Sequence, residues 1–382
     1  MDLRVLSVFG TRPEAIKMAP IVRLLKQTTG IESRVCVTAQ HRDMLDQVLE
    51  LFEIEPEYDL NLMRDNQSLA QISASIFTHL DPVLEDFEPD WVLVVGDTTT
   101  VVTTSLLTYF RRIRLGHVEA GLRTHSKWHP FPEEINRRLA TVIADLHFAP
   151  TEGAKSNLLL EGIDAKNILV TGNPVIDALQ FALSQEEPQQ ITALLKKLRL
   201  GHEGQEGKRL ILVTAHRREN FGTPLENICY ALKELASRTD VELVYPVHLN
   251  PNVQAPVNRI LRNSPHITLL PPLDYLPLVQ LMKHAKLILT DSGGLQEEGP
   301  SLGIPILVLR EVTERPEGIQ SGTLRLVGTE VHQIVNEAMR LLDEPSAYQA
   351  MARAANPYGD GHAAERIIEA LLRSERKTAI QA

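Results

Sequence analysis

The sequence predicts an α/β protein built from two doubly wound domains with parallel sheets. Three observations carry this. Short apolar runs rich in Val, Ile and Leu alternate with helical patterns from end to end, the signature of βα units joined by right-handed crossovers. A chain of 382 residues exceeds what one ordinary core organises. A polar, turn-rich stretch interrupts the alternation near the middle, and the pattern then restarts.

In the first half the predicted strands are LRVLSVF (3–9), RVCVTA (34–39), WVLVVG (91–96), LGHVE (115–119), LHFAP (146–150) and ILVTG (168–172). Continuous apolar runs of this length suit strands covered on both faces. Helices are expected between most of them, including PEAIKMAPIVRLLKQ (13–27), SLAQISASIFTHLDPVLEDF (68–87) and PEEINRRLATVIA (132–144). The seam runs from SQEEPQQ (184–190) through a short helical pattern to GHEGQEGKR (201–209). Beyond it come RLILVTA (209–215), VELVYPV (241–247), ITLLP (267–271), LILTD (287–291), PILVL (305–309) and LRLVG (324–328). The expected organisation is a first domain over 1–185, a second over 186–360, and a C-terminal amphipathic helix over 361–382 that could pack back on the first. No short internal repeat and no low-complexity segment is visible.

Composition narrows the function. A formal net charge of −10 without clustered basic residues argues against a nucleic-acid surface, yet a few local cations suffice for a small anion. Cys36 and Cys229 are too few and too far apart for a disulfide framework or a metal site. The N-terminal apolar run is broken by Arg4 and reads as a strand rather than a signal peptide, and no stretch reaches membrane-span length. The expectation is a cytoplasmic protein with neither nucleic acid nor membrane as partner.

Candidate chemistry collects at strand ends, where open parallel sheets bind ligands. VFGTRPEAIK is strand, turn and helix; its free N–H groups, with Arg12 and Lys17, could hold an anion, although alone it reads as a capped helix with exposed cations. Neither G-x-G-x-x-G nor a Walker A motif occurs, which speaks against nicotinamide and P-loop chemistry. LILTDSGGLQEEG places Ser292, Gly293 and Gly294 at a helix start, where backbone N–H groups can approach a diphosphate, and Glu298 one turn on, within reach of ribose hydroxyls. Asp97 (GDTTT) and Glu119 (HVEAGLR) end apolar strands, a costly place for a lone acid unless it is paired, solvated or functional. His117 between them suits a hydrogen-bonded core residue better than a metal ligand. On local pattern Glu133 belongs to ordinary surface pairs, Glu133 with Arg137 and Glu134 with Arg138. TAHRREN puts His216, Arg217 and Arg218 directly after a buried strand. If the two domains face each other across a cleft, these residues form a basic diphosphate pocket opposite a set of carboxylates.

FGTRPEAIKMAP, TAQHRDMLDQ, GDTTT, HVEAGLR, PEEINRR, TAHRREN, YPVHLNPNV, LTDSGGLQEE, ERPE and NPYGDG follow one another in this order over nearly the whole chain. Together they resemble the non-hydrolysing UDP-N-acetylglucosamine 2-epimerases. The resemblance implies two Rossmann-like domains of the GT-B type, a homodimer, and neither metal nor other cofactor. It also implies interconversion of UDP-N-acetylglucosamine and UDP-N-acetylmannosamine for bacterial surface polysaccharides, with UDP leaving and returning. By similarity Asp97, Glu119, Glu133 and His216 form the catalytic set, which overrides the surface reading of Glu133. Arg12, Lys17, Ser292, Gly293, Gly294, Glu298 and Arg315 match substrate-binding positions, and Leu273 and Leu278 fall where the uracil is gripped. Gln40, His41 and His248 match a second, regulatory UDP-N-acetylglucosamine site. SKWHPFPEE departs from the family pattern, with His129 where a Ser often precedes the Pro.

The chemistry follows from the substrate. The C2 proton of N-acetylglucosamine is not adjacent to a ring carbonyl, so direct abstraction fails. Breaking the C1–O bond to UDP acidifies it, leaving a 2-acetamidoglucal to which UDP can return with protonation on the other face. That route needs cations and helix starts around the diphosphate and carboxylates near C1 and C2. A GT-B glycosyltransferase is the alternative, but it needs an acceptor pocket where acids crowd here. A nucleotide-sugar sensor would have no use for Asp97, Glu119 and His216.

Overall fold

A computed structural model of the chain describes residues 2–38, 42–62, 64, 67–200 and 207–381. The chain forms two compact units, residues 1–178 with 358–382, and residues 179–357. The strands anticipated from sequence are present, together with a two-residue edge strand too short to leave a pattern.

Unit 1 carries β1 (Leu3–Phe9), β2 (Ile31–Val37), β3 (Tyr58–Asp59), β4 (Trp91–Val95), β5 (Arg114–Val118), β6 (Leu146–Ala149) and β7 (Ile168–Val170). They form one parallel sheet in the order β3-β2-β1-β4-β5-β6-β7. Its helices are α1 (Arg12–Gln27), α2 (Arg42–Leu51), α3 (Leu69–Phe87), α4 (Thr99–Arg111), α5 (Glu133–Ile143), α6 (Glu152–Leu160) and α7 (Pro174–Ser184). Unit 2 carries α8 (Gln189–Leu198), β8 (Arg209–Thr214), α9 (Thr223–Leu235), β9 (Val241–Pro246), α10 (Pro251–Leu261), β10 (Ile267–Leu270), α11 (Tyr275–Lys283) and β11 (Ala285–Thr290). It continues with α12 (Gly293–Ser301), β12 (Ile306–Val308), α13 (Pro316–Gln320), β13 (Leu324–Leu326), α14 (Val331–Asp343) and α15 (Pro345–Ala352), and the chain ends in α16 (Ala363–Gln381). The second sheet is also parallel, in the order β10-β9-β8-β11-β12-β13.

The first division of the chain falls within α7, and the second lies just before Tyr358, so α16 belongs to unit 1, where it packs against α1. Asp177 fixes the start of α16 by accepting from the backbone N–H of Ala364 at 2.9 Å and of Ala363 at 3.2 Å. Gly172 and Gly359 both have positive φ, and their backbones meet so closely that a Cβ on either would lie 3.1 Å from the other's Cα.

Each sheet is buried on both faces because its crossover helices cover it. Val92, Val94, Leu6 and Val8 face α3 and α4 in unit 1; Ile211, Val213, Leu243 and Leu289 join the core under α9, α10 and α14 in unit 2. Burying one such side chain stabilises by about 1.5–3 kcal/mol, and fully buried Trp91, Phe9, Phe87 and Phe148 add larger areas. Among the described residues, no helix is long and apolar enough to cross a membrane.

The topology fixes where polar groups collect. In the first sheet the direction of winding reverses between β1 and β4, in the second between β8 and β11. Ligand crevices of open α/β sheets lie beyond the carboxyl ends of the strands at such reversals. Residues 10–12 and 96–98 follow the first pair, and residues 215–217 and 291–293 follow the second.

Candidate active site

In unit 1, Gly10 ends β1 where a Cβ would lie 1.9 Å from the Thr38 Oγ1, so only glycine fits unless Thr38 moves. Thr11 caps α1, and Glu14 completes the capping box. Glu14 does more than cap. Its Oε2 accepts from the N–H of Gly10 (3.0 Å) and Thr11 (2.7 Å), while Oε1 accepts from the Thr98 hydroxyl at 2.6 Å. Thr98 in turn caps α4, so one buried carboxylate ties the turn after β1 to the turn after β4. Burial pushes the Glu14 carboxyl above its ordinary value, against the pull of these bonds.

Pro13 in the first turn of α1 suits the sequence reading, but Lys17 is not an exposed cation. Its ammonium lies 2.5–2.6 Å from both carboxylate oxygens of Glu119, and the two side chains are 15% and 4% exposed. Asn173 Nδ2 donates to Glu119 Oε1 at 3.0 Å. Glu119 holds φ at +60°, a region unusual for a side chain of its size, immediately after β5. Such strain concentrates at functional sites and persists only where surrounding contacts enforce it.

Asp97 follows Gly96 beyond β4. Arg137 Nη2 donates to its Oδ2 at 2.5 Å, and Asn136 Nδ2 donates to its backbone carbonyl at 2.9 Å. Burial raises the Asp97 carboxyl above its ordinary value; Arg137 pulls it down, Glu119 pushes it up, and Lys17 pulls it down. Glu133 is half-buried at the first residue of α5, on the helix face it shares with Arg137. Arg12 is half-buried at the first residue of α1. On α5 the Glu134–Arg138 pair expected from spacing is exchanged for other partners. Arg137 is buried and also meets Glu134 at 3.4 Å, Glu134 accepts from the N–H of Thr124 and His125, and Arg138 reaches Glu161. The loop from Arg123 to His125 folds over the start of α5, which a linear helix pattern does not encode.

In unit 2, Asp291 directly after β11 is fully buried. Its Oδ2 accepts from the N–H of His216 and Arg217, both at 2.8 Å, and from Asn220 Nδ2 at 3.0 Å. His216 is therefore held at the reversal between β8 and β11, and its ring stacks on that of His248 at 5.3 Å and 14°. Burial lowers the His216 imidazole below its ordinary value; Asp291 works upward, His248 and Arg217 downward.

Ser292 holds the N-cap position of α12 without a side-chain cap hydrogen bond, and Gly293 opens the helix. A Cβ on Gly293 would sit 3.0 Å from the Arg315 guanidinium carbon, so the missing side chain lets that cation lie over the helix start. Gly294 would meet only ordinary contacts. Arg315 donates to Glu297 at 2.8 Å and to Glu314 at 3.2 Å, both from unit 2. Glu298 is buried and accepts from the Tyr275 hydroxyl at 2.8 Å. Leu273 and Leu278 are half-buried around the start of α11, against the core that includes Leu210 and Ile288. His248 is exposed, and Gln40 and His41 lie outside the described residues.

The family model described as UDP-N-acetylglucosamine 2-epimerase matches residues 23–372. The chain belongs to this family. It is 56% identical over 372 residues to the UDP-N-acetylglucosamine 2-epimerase of Yersinia pestis, covering 97% of this chain and 98% of that one. The enzyme of the same name from Escherichia coli K12 is 54% identical over 371 residues, with the same coverage of 97% and 98%. The crystal structure of UDP-GlcNAc 2-epimerase from Neisseria meningitidis bound to UDP-GlcNAc matches with a TM-score of 0.88 at 50% identity, over 97% of this chain and 100% of that chain.

Sequence reasoning passed over Glu14, Arg137, Asn173 and Asp291 as site components. Glu14 looked like a capping residue and Arg137 like half of a surface pair, and nothing in the local pattern of Asn173 marks it. Asp291 carried a signal, an acid ending an apolar strand just before two glycines.

His117 and His147 pair in register on β5 and β6, both buried. His117 Nε2 lies 2.7 Å from the Gly96 carbonyl, and neither Nδ1 has a hydrogen bond among the described residues. Burial holds both imidazoles down at about 4, from 6.5. Both are therefore neutral in the folded chain at pH 7, while the unfolded chain protonates them near 6.5. Their stabilising contribution is complete above that pH and is lost as pH falls toward 4. Raised carboxyls at Asp97 and Glu14 act in the opposite sense, so the imidazoles are best followed directly. Nitrogen-15 NMR of the folded protein should show both rings neutral down to about pH 5; either ring titrating near 6.5 would contradict this account.

Proposed function

We propose that the chain interconverts UDP-N-acetylglucosamine and UDP-N-acetylmannosamine by eliminating UDP across C1–C2 and adding it back. The observation that carries this reading is the pair of acids at adjoining strand ends of unit 1, each held by a cation: buried Glu119 by Lys17 and half-buried Asp97 by Arg137. Burial raises the proton affinity of Asp97, and a desolvated carboxyl of this kind suits proton transfer at neutral pH, whereas exposed acids stay ionised. We assign proton transfer to Asp97, Glu119, Glu133 and His216. Arg315, Ser292, Gly293 and Gly294 bind the diphosphate at the start of α12, with Glu298 for the ribose and Leu273 and Leu278 for the uracil. Arg12 and Lys17 contact substrate from unit 1.

In the forward step the C1–O bond breaks with its electron pair leaving on UDP, and a carboxylate takes the C2 proton. The C2–H electrons form the C1=C2 bond of 2-acetamidoglucal. The return step adds UDP to C1 and delivers a proton to the opposite face of C2. Arg315 and the free N–H groups of α12 stabilise the departing diphosphate.

Unit 1 also leaves Tyr109, Phe110, Leu139 and Val142 exposed on the adjacent helices α4 and α5. An apolar surface of this kind on a soluble family suits a second copy, and we assign it to a homodimer. Sedimentation should give twice the chain mass of 42.7 kDa, and Val142→Glu should shift the protein toward monomer; a wild-type protein monomeric at micromolar concentration would refute the assignment.

Asp97→Asn should fold normally and lose turnover by roughly a hundredfold or more, the scale of a general acid–base group. Arg315→Ala should instead weaken binding of UDP, read by calorimetry, by about tenfold or more, as loss of a charge-assisted diphosphate contact does. Near-normal turnover for the first, or unchanged UDP affinity for the second, removes that residue from its role.

The elimination route is tested most directly by solvent exchange. Incubated with UDP-N-acetylglucosamine in deuterated water, the enzyme should yield UDP-N-acetylmannosamine carrying deuterium at C2. Product that retains its original C2 hydrogen would overturn the mechanism, and release of free N-acetylmannosamine would indicate hydrolysis instead.

A further inference from the structure

Asp291 has an unused oxygen. Its Oδ2 takes three hydrogen bonds, but no described residue hydrogen-bonds to its Oδ1. The carboxyl is completely buried. An acceptor left unmatched in that setting is costly, because its desolvation is not offset. The His216 ring faces it, with Nδ1 3.7 Å from Oδ1.

The geometry around this carboxylate is rigid. Asp291 continues the ladder of β11 by donating its own N–H to the Thr214 carbonyl at 3.0 Å. The Thr214 and Thr290 hydroxyls bond at 2.6 Å beneath it, and Tyr245 donates to the Ala215 carbonyl at 2.6 Å. Asn220 bridges Asp291 to the Leu309 carbonyl at 3.1 Å, closing the loop that follows β8. The backbone of His216 is thus bonded to the same carboxylate that its side chain faces.

From this arrangement we propose that Asp291 is a positioning residue: its Oδ1 receives Nδ1–H of His216, fixes that tautomer, and leaves Nε2 as the nitrogen that meets substrate. The proposal rests on the assignment of His216 to the reaction. A ring nitrogen held by a carboxylate orients the imidazole and makes the other nitrogen a better base, and the bond shortens once substrate excludes water. The same carboxylate supports the imidazolium that forms when His216 takes a proton. The ionisable groups facing the ring are Asp291, the stacked His248 and Arg217. Two of these three disfavour a charged ring, so Asp291 alone among them sustains it, consistent with its upward effect on His216.

The wild-type protein without substrate supplies the first test, which does not depend on epimerase activity. Nitrogen-15 shifts of the His216 ring, assigned by comparison with His216→Ala, should report the Nδ1–H tautomer at pH 8. In Asp291→Asn, whose carbonyl can still accept from the backbone, the ring should switch toward Nε2–H, and its titration midpoint should fall by about one pH unit or more. Turnover should drop roughly tenfold to hundredfold with little change in KM. The double variant Asp291→Asn with His216→Ala should be no slower than His216→Ala alone, because Asp291 acts only through that ring. An Nε2–H tautomer in the wild type overturns the proposal even if Asp291→Asn fails to fold. Further loss in the double variant overturns it as well and makes Asp291 a structural residue. A wild-type protein that shows the Nδ1–H tautomer but no epimerisation would instead refute the functional assignment, leaving the pairing of Asp291 and His216 intact.

Discussion

An ammonium and a carboxylate removed from water together hold the strand ends of unit 1 in place. Separating either from the other would leave an uncompensated charge, so a pair as buried as Lys17 and Glu119 constrains the backbone at both ends. Lys17 sits one turn into α1, and Glu119 sits beyond β5 with a positive φ. Their pairing orients α1 over the carboxyl end of the sheet, and Asn173 adds the turn before α7 to the same carboxylate. The strain at Glu119 is maintained by contacts whose loss would be more costly than the strain.

The same logic recurs at neighbouring strand ends with different partners. Glu14 joins the turn after β1 to the turn after β4, and α5 reaches over to hold Asp97 through Asn136 and Arg137. In unit 2 a buried acid does this work through backbone amides: Asp291 gathers the N–H groups of His216 and Arg217 into one bond network. A strand that ends in a parallel sheet leaves polar backbone groups without ladder partners, and buried polar groups must find others. Glu14 and Asp291 meet that need with one oxygen each; the other oxygen of Glu14 takes the Thr98 hydroxyl, and that of Asp291 faces the His216 ring.

These networks bear on the choice between an epimerase and a glycosyltransferase. Either activity uses a helix start and an arginine at a diphosphate, which α12 and Arg315 offer. A glycosyltransferase does not call for two desolvated acids fixed by separate cations at adjoining strand ends. Proton removal and return at one carbon does, since each step needs its own group with its own protonation state.

The sequence by itself determined the alternation of strands and helices, the two parallel sheets and the polar strand ends. Those features arise from local hydrophobic periodicity and from turn and cap residues such as Gly10, Thr11 and Ser292. The ordered motifs also marked Asp97, Glu119, His216 and the SGG turn as places where chemistry collects. Tertiary structure alone decided which charge meets which. Lys17 reads as a solvated cation until the fold brings it to Glu119, one hundred and two positions away. Arg137 reads as a surface residue of α5 until the fold brings it to Asp97 beyond β4, and Asp291 shows its hold on His216 only when β8 and β11 lie side by side. Parallel pairing joins segments distant in the chain, and the energy of a buried charge depends on neighbours that local pattern does not contain.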